Sequence, residues 1–183
     1  AEKLVKGTAN GRAVAVDVED GQALAALIKA HDIVISLLPW IHHVRVAGLC
    51  LEHGKHMVTT SYVSDGMRQL APAVLEKGLI FLNEIGVDPG IDHMSAMKVI
   101  HAVEAEGGKV LHFHSYCGGL PAPEDNDNPF GYKFSWSPRG VILASRNSAR
   151  FLENGKIVEI PGKDLFVKFQ IEEVPGLGKY EVY

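Results

Sequence analysis

Two periods of hydrophobic and polar residues alternate along the first half of the chain. Short apolar runs, "RAVAVDV" at 12–18, "DIVISLLP" at 32–39, "KHMVTTSY" at 55–62 and "LIFLNEIG" at 79–86, read as strands. They begin every ~20–25 residues, close to the ~30-residue size of a strand-helix-strand unit. Between them the period becomes helical. Leu24, Leu27 and Ile28 share one face of a first helix, and Val44, Ala47, Gly48 and Leu51 follow i, i+3, i+4, i+7 on a second. Met67, Leu70, Ala71 and Val74 do the same on a third. Nearly continuous apolar strands such as "IVISLL" suit a parallel sheet covered on both faces, because neither side of the pleat then meets water. The alternation predicts an α/β fold, an incomplete Rossmann-type doubly wound parallel sheet. The units do not repeat their residues, so the period belongs to the architecture and not to a solenoid.

Beyond residue 90 the pattern changes. A helix over about 91–105 would bury Ala96, Val99, Ile100 and Val103, and "KVLHFHSYC" at 109–117 alternates like a strand with one open face. A loop rich in Pro, Asp and Asn, "GGLPAPEDNDNP", then leads to a short extended piece, a helix over about 138–152, and short strands and turns over 156–183. The expected boundary falls near 88–90. Residues 1–88 would form the C-terminal portion of a dinucleotide-binding domain, and residues 89–183 part of an α/β substrate domain. "AEKLVKG" at the start reads as the last turn and a half of a helix closed by Gly7, so the chain is expected to be an internal piece of a longer protein.

A hydrophobic content of 46% is ample for a core. Lys plus Arg 18 against Asp plus Glu 22, with no basic cluster, gives no support for a nucleic-acid partner and favours a small molecule. Cys50 and Cys117 make neither a framework nor a CxxC pair, which points to a reducing, cytoplasmic setting. No apolar run approaches the ~20 residues that span a bilayer, so a membrane is not expected as a partner.

Open α/β sheets bind ligands at the carboxyl ends of their strands. Here those ends offer Asp17, Ser36 with Pro39, Thr59 to Tyr62, and Glu84 to Asp88. The segment "NEIGVDPGIDHM" at 83–94 is the densest, since a proline, a glycine, two acids and a histidine interrupt an apolar run there. Loops after strands are polar in any protein, so a turn and a helix cap explain the same residues equally well. No GxGxxG occurs, and a dinucleotide reading needs that loop upstream of Ala1. Ser64 or Asp65 could cap the helix after "TTSY", and Ser137 before Pro138 is a favoured cap whose helix end could also receive an anion, with Arg139 nearby. His42 and His43 are adjacent and point apart, while the sequence places no acid or thiolate next to His112 and His114 to complete a zinc site, so no metal is expected. The sequence places no base predictably beside Cys117, so nucleophilic work is not expected of it.

Taken together, "HDIVISLLPWIHH", "KHMVTTSYVS", "LNEIGVDPGIDHM", "SYCGGLPAPEDNDNPFGYKFSWSPRGV" and "ENGKIVEIPG" resemble, in order and spacing, the saccharopine dehydrogenase (L-glutamate-forming) family, also called saccharopine reductase. In animals that family forms the C-terminal part of aminoadipic semialdehyde synthase. The likeness covers about residues 12–162. It implies a Rossmann domain joined to a substrate-binding and dimerisation domain, hence a homodimer as one expected assembly. It further implies interconversion of saccharopine with glutamate and 2-aminoadipate 6-semialdehyde, with NADP or NAD as cofactor. By the same resemblance, Asp17 and Val18 flank the adenine side of the cofactor, and Ser36, Leu38 and Pro39 line its path. Val87, Asp88, Pro89 and Ser137 lie near the nicotinamide, Ser61, Tyr62 and Asp88 contact substrate, and Asp88 is the residue most coupled to chemistry. Tyr62, Asp88, Cys117 and Lys133 all stay open as general acid or base. The Gly-rich loop of the family is absent from this chain, and residues 163–183 match less clearly. A non-catalytic α/β binding module and another dinucleotide-dependent oxidoreductase are the alternatives that residues alone leave open.

Overall fold

The computed structural model describes residues 2–183. The chain divides into two compact units, one ending at Ser115 and the other running from Tyr116 to Tyr183.

In the first unit a short helix α1 (Glu2–Val5) closes at Gly7, whose φ of +89° only glycine adopts cheaply. Helix α2 (Gly21–Lys29) starts at Asp20, whose carboxylate accepts the N–H groups of Gln22 and Ala23 that the first turn leaves unpaired. The order then runs β1 (Ile33–Ser36), a 3₁₀ turn (Trp40–His42), α3 (His43–Glu52), β2 (His56–Thr59), α4 (Asp65–Glu76), β3 (Phe81–Leu82) and α5 (Ile91–Ala105). Ser64 caps α4 by accepting the Met67 N–H. The three strands form one parallel sheet in sequence order, with Ile33 opposite His56 and Met57 opposite Phe81. Parallel strands need a crossover, which α3 and α4 supply.

The core lies under this sheet. Ile28, Val46, Ala47, Cys50, Met57 and Met67 are buried, with Leu24, Val34, Leu70 and Phe81 packed against them. Val34 belongs to this core and Ser36 is buried beside it on the same strand face, whereas Ile35, on the other face of β1, is 67% exposed. The described residues therefore cover one face of a strand whose sequence is apolar on both.

Several expectations are corrected. The inward face of α3 is His43, Val46, Ala47 and Cys50, not Val44, Ala47, Gly48 and Leu51. Both sets satisfy the helical period, and packing against the sheet decides which one turns inward. "RAVAVDV" and "KVLHFHSYC" form no strands. Apolar alternation makes a strand only where a neighbour pairs its N–H and C=O groups, and neither segment has such a neighbour among the described residues. The run at 79–86 contributes just Phe81 and Leu82 to the sheet. Helix α5 has the expected limits, yet Val99 is 63% exposed.

The second unit holds a 3₁₀ turn (Pro123–Asp125), α6 (Pro138–Ala144), an antiparallel hairpin β4 (Ala149–Glu153) and β5 (Lys156–Ile160), a 3₁₀ stretch (Gly162–Val167) and a second hairpin, β6 (Gln170–Val174) and β7 (Gly178–Val182). The helix expected over 138–152 stops at Ala144 because residues 149–153 pair as a strand. Asn154 and Gly155, with φ of +50° and +74°, form the two-residue loop that this hairpin requires.

Candidate functional site

The carboxyl ends of β1 and β2 meet around one buried side chain that the sequence did not single out. His43, at the first turn of α3, is 3% exposed. Its Nδ1 lies 3.0 Å from the Ser36 Oγ at the end of β1. Its Nε2 lies 2.8 Å from the Ser61 Oγ and 3.1 Å from the Thr59 Oγ1. Burial holds its pKa below the ordinary value, helped by the neighbouring His42, so the ring is neutral near pH 7. A histidine recurring at i, i+3, i+4, i+7 with Val46, Ala47 and Cys50 was the available signal.

The turn after β2 is fixed from the other side by the segment leaving β3. The Glu84 N–H donates to the Ser61 carbonyl at 3.0 Å, and the Ile85 N–H donates to the Thr59 carbonyl at 3.2 Å. The Glu84 carboxylate accepts the Val63 N–H at 3.1 Å, and the Asn83 amide donates to the carbonyls of Ser61 and Tyr62. Glu84 adopts φ +62°, an uncommon conformation for a non-glycine residue. Ser61 is half-buried and Tyr62 is exposed. The serine hydroxyl is thus held from within while the tyrosine side chain faces outward.

The loop that interrupts the fourth apolar run closes on itself. The Gly86 N–H donates to the Pro89 carbonyl, and the Ile91 N–H donates to the Gly86 carbonyl, both at 2.9 Å. The Gly90 N–H donates to the Asp92 carboxylate at 2.8 Å, and the Asp88–Pro89 peptide is cis. Pro89 and Gly90 are buried, whereas Val87 and Asp88 stand exposed at the tip. Asp88, Asp92 and His93 have side-chain polar atoms within 4.8 Å of one another. Asp92 and His93 are 2.7 Å apart. Partial desolvation pushes the Asp92 carboxyl up, but the hydrogen bonds from His93 and the Gly90 N–H together hold it below its usual value. The hydrogen bond to Asp92, then its charge, raises His93. Asp92 is thereby engaged, and the carboxylate left at the rim is Asp88.

The remaining expected residues of the first unit fall in two places. Asp17 and Val18 lie in the turn before α2, where the Asp17 carboxylate accepts the Glu19 N–H at 2.9 Å. Glu19 in turn pairs with Arg45 of α3 at 2.6 Å. Leu38 and Pro39 follow β1, and with Leu37 they form an exposed apolar shelf. The Ser36 hydroxyl, 3% exposed, faces inward to His43.

In the second unit Ser137 caps α6 by accepting the Gly140 N–H at 3.1 Å, so its hydroxyl oxygen serves the helix directly. Lys133 pairs with Asp127 at 2.9 Å, beside a shallow cleft lined by Gly119, Leu120, Ala122 and Ser135. Cys117 is exposed and Cys50 is buried.

A parallel sheet with polar loops gathered at the carboxyl ends of adjacent strands defines an α/β ligand-binding architecture. Residues 1–82 match the saccharopine dehydrogenase NADP binding domain, and residues 86–183 match the saccharopine dehydrogenase C-terminal domain. The chain belongs to the saccharopine dehydrogenase family. It is 56% identical, over 90% of its length, to saccharopine dehydrogenase [NADP(+), L-glutamate-forming] of Schizosaccharomyces pombe, and 48% identical over the same share to that of Saccharomyces cerevisiae. It is 43% identical over 96% of its length to the alpha-aminoadipic semialdehyde synthase of Arabidopsis thaliana, 17% of which is covered. The apo structure of the Saccharomyces cerevisiae L-Glu-forming enzyme superposes with a TM-score of 0.82 at 45% identity, covering 97% of this chain and 40% of that one. The chain spans 37% of the length of the two fungal relatives.

Proposed function

We propose that these residues work within a polypeptide of the relatives' length as an NADP-dependent oxidoreductase of lysine metabolism, interconverting saccharopine with L-glutamate and 2-aminoadipate 6-semialdehyde. The observation that carries this reading is the convergence of the Ser36–Pro39, Ser61–Tyr62 and Val87–Asp88 loops on the ends of the parallel strands, in a chain 56% identical to an enzyme of that name.

The residues present suit part of a dinucleotide. The apolar shelf of Leu37, Leu38 and Pro39 offers a surface on which the cofactor could lie, and Asp17 and Val18 sit in the turn that would face its adenosine end. Ser36 would contribute through its backbone, because its hydroxyl is taken by His43. Val87, Asp88, Pro89 and Ser137 would flank the nicotinamide, which when bound supplies the hydride acceptor or donor. Ser61 and Tyr62 would hold a substrate carboxylate or amine, and Asp88 would face the cationic amine. Pairing of two copies through the second domain completes the proposal.

The test uses a polypeptide of the relatives' length, with saccharopine and NADP or NAD supplied in turn. Reduced nicotinamide and glutamate should appear in equal amounts, faster with NADP. Reduction without glutamate would identify a different oxidoreductase, and no reduction with either cofactor would overturn the assignment.

A further inference from the structure

The His43 imidazole spans the ends of two strands and touches hydroxyls at both of its nitrogens, Ser36 at Nδ1 and Ser61 with Thr59 at Nε2. Among the described residues every buried side-chain polar atom has a partner, so this cluster is satisfied from within. A neutral imidazole has one N–H and one bare nitrogen, so its two contacts are reciprocal. When Nδ1–H donates to Ser36, Nε2 accepts from a hydroxyl on the β2 side. When Nε2–H donates toward Ser61, the Ser36 hydroxyl donates to Nδ1 and the Ser61 proton is left for a ligand. The Thr59 Oγ1 also receives the Ser61 N–H at 3.3 Å, so both the backbone and the side chain of Ser61 are tied to the same group. Ser61 is the one member of the four that is half-buried and reaches the outer side of the turn.

We propose that His43 is a positioning residue for substrate recognition, holding the Ser61 hydroxyl in the orientation that meets a polar group of the amino-acid substrate. This rests on the reading of Ser61 as a substrate contact. The ring itself never reaches the substrate, since at 3% exposure it is closed off by the strands and by the groups it binds. Its role differs from core packing because an apolar ring of the same shape would fill the space but leave Ser36, Thr59 and Ser61 without the shared partner. It also differs from catalysis, because a group acting behind Ser61 alters how well substrate is held more than how fast it reacts.

The experiment uses a protein of the relatives' length and measures KM for saccharopine, kcat and unfolding midpoint for wild type, Ser61→Ala, His43→Asn, His43→Gln and the double variant Ser61→Ala/His43→Asn. Asparagine reaches the Nδ1 position and abandons Ser61, whereas glutamine reaches the Nε2 position and keeps it. His43→Asn should raise the saccharopine KM about tenfold or more with kcat changed less than about threefold, and His43→Gln should recover most of that loss. In the Ser61→Ala background, His43→Asn should add little. If the two changes instead multiply, or if His43→Asn lowers stability with KM unchanged, His43 is a packing residue and the inference fails alone. Should Ser61→Ala leave KM untouched in an active enzyme, the substrate contact and its positioning residue fall together. A wild type that neither binds nor turns over saccharopine overturns the functional reading first, and this inference with it.

Discussion

Gly90→Ala probes the loop that carries Asp88, and its cost can be worked from the backbone. Gly90 sits at φ +151° with its N–H on Asp92, and a Cβ built there would collide with the backbone oxygen of Gly86 and lie 2.5 Å from the Gly86 nitrogen. These are main-chain atoms, so no side chain can swing away. The strain of a non-glycine residue in that conformation is roughly 1–3 kcal/mol. Relieving the collision means moving Gly86, which gives up the Gly86 N–H bond to Pro89 and the Ile91 N–H bond to Gly86, at roughly 0.5–1.5 kcal/mol each. The total is about 2–6 kcal/mol, a large share of the stability of a domain this size. Gly78→Ala is the control, since Gly78 has φ +63° but open space around its Cβ position, so it should cost only about 1 kcal/mol. Urea unfolding of the 183-residue chain measures both, and the same pair in a protein of the relatives' length should show Gly90→Ala losing kcat/KM well beyond Gly78→Ala. Equal costs for the two, or a Gly90→Ala protein with unchanged stability and kinetics, would refute the claim that close backbone contact at Gly86 and Gly90 sets the loop.

Other outcomes follow from the same structure. Asp88→Asn in a protein of the relatives' length keeps the shape and removes the rim charge, and should lower kcat/KM for saccharopine at least about tenfold, or ~1.4 kcal/mol; near-wild-type values across pH 6–9 would make Asp88 a turn residue. Cys50, whose burial pushes its thiol up to about 11, should resist a thiol reagent at neutral pH while exposed Cys117 reacts, so one thiol titrates in the native chain and both in denaturant. The His93 ring should titrate above 6.5 by NMR, and Asp92→Asn should return it towards 6.5. Because His93 is raised and Asp92 lowered, the contribution of His93 is complete below ~6.5 and fades as pH climbs through its folded midpoint, and that of Asp92 is complete above ~4 and fades as pH falls through its own. His43 runs the other way, titrating below 6.5, so its site is indifferent to pH above ~6.5 and loses stability on acidification.

Much of the first unit, and the helix cap of the second, was legible because the signals are local. Helical spacing of apolar residues placed α2, α4 and α5, and the side-chain oxygen of Ser64 or Ser137 can reach only its own helix end, so those caps could be read from neighbouring residues alone. The motif blocks likewise marked Ser61, Tyr62 and Asp88 for inspection, since loops after parallel strands are where such sheets bind. What required tertiary structure was everything decided by a partner distant in sequence. Whether "RAVAVDV" becomes a strand depends on a neighbour to pair with, and which of two equally periodic faces of α3 turns inward depends on the sheet beneath it. The Asn154–Gly155 hairpin outweighed the helical reading of 145–152 through the pairing of Ala149 with Ile160 across it. His43 shows the division most plainly: beside His42 in sequence it has no visible task, and its contacts lie 7, 16 and 18 residues away. Periodicity records which residues avoid water, but a hydrogen bond from a helix side chain to the ends of two strands leaves no trace in spacing, so only the folded arrangement of β1, α3 and β2 could bring Ser36, Thr59 and Ser61 around one ring.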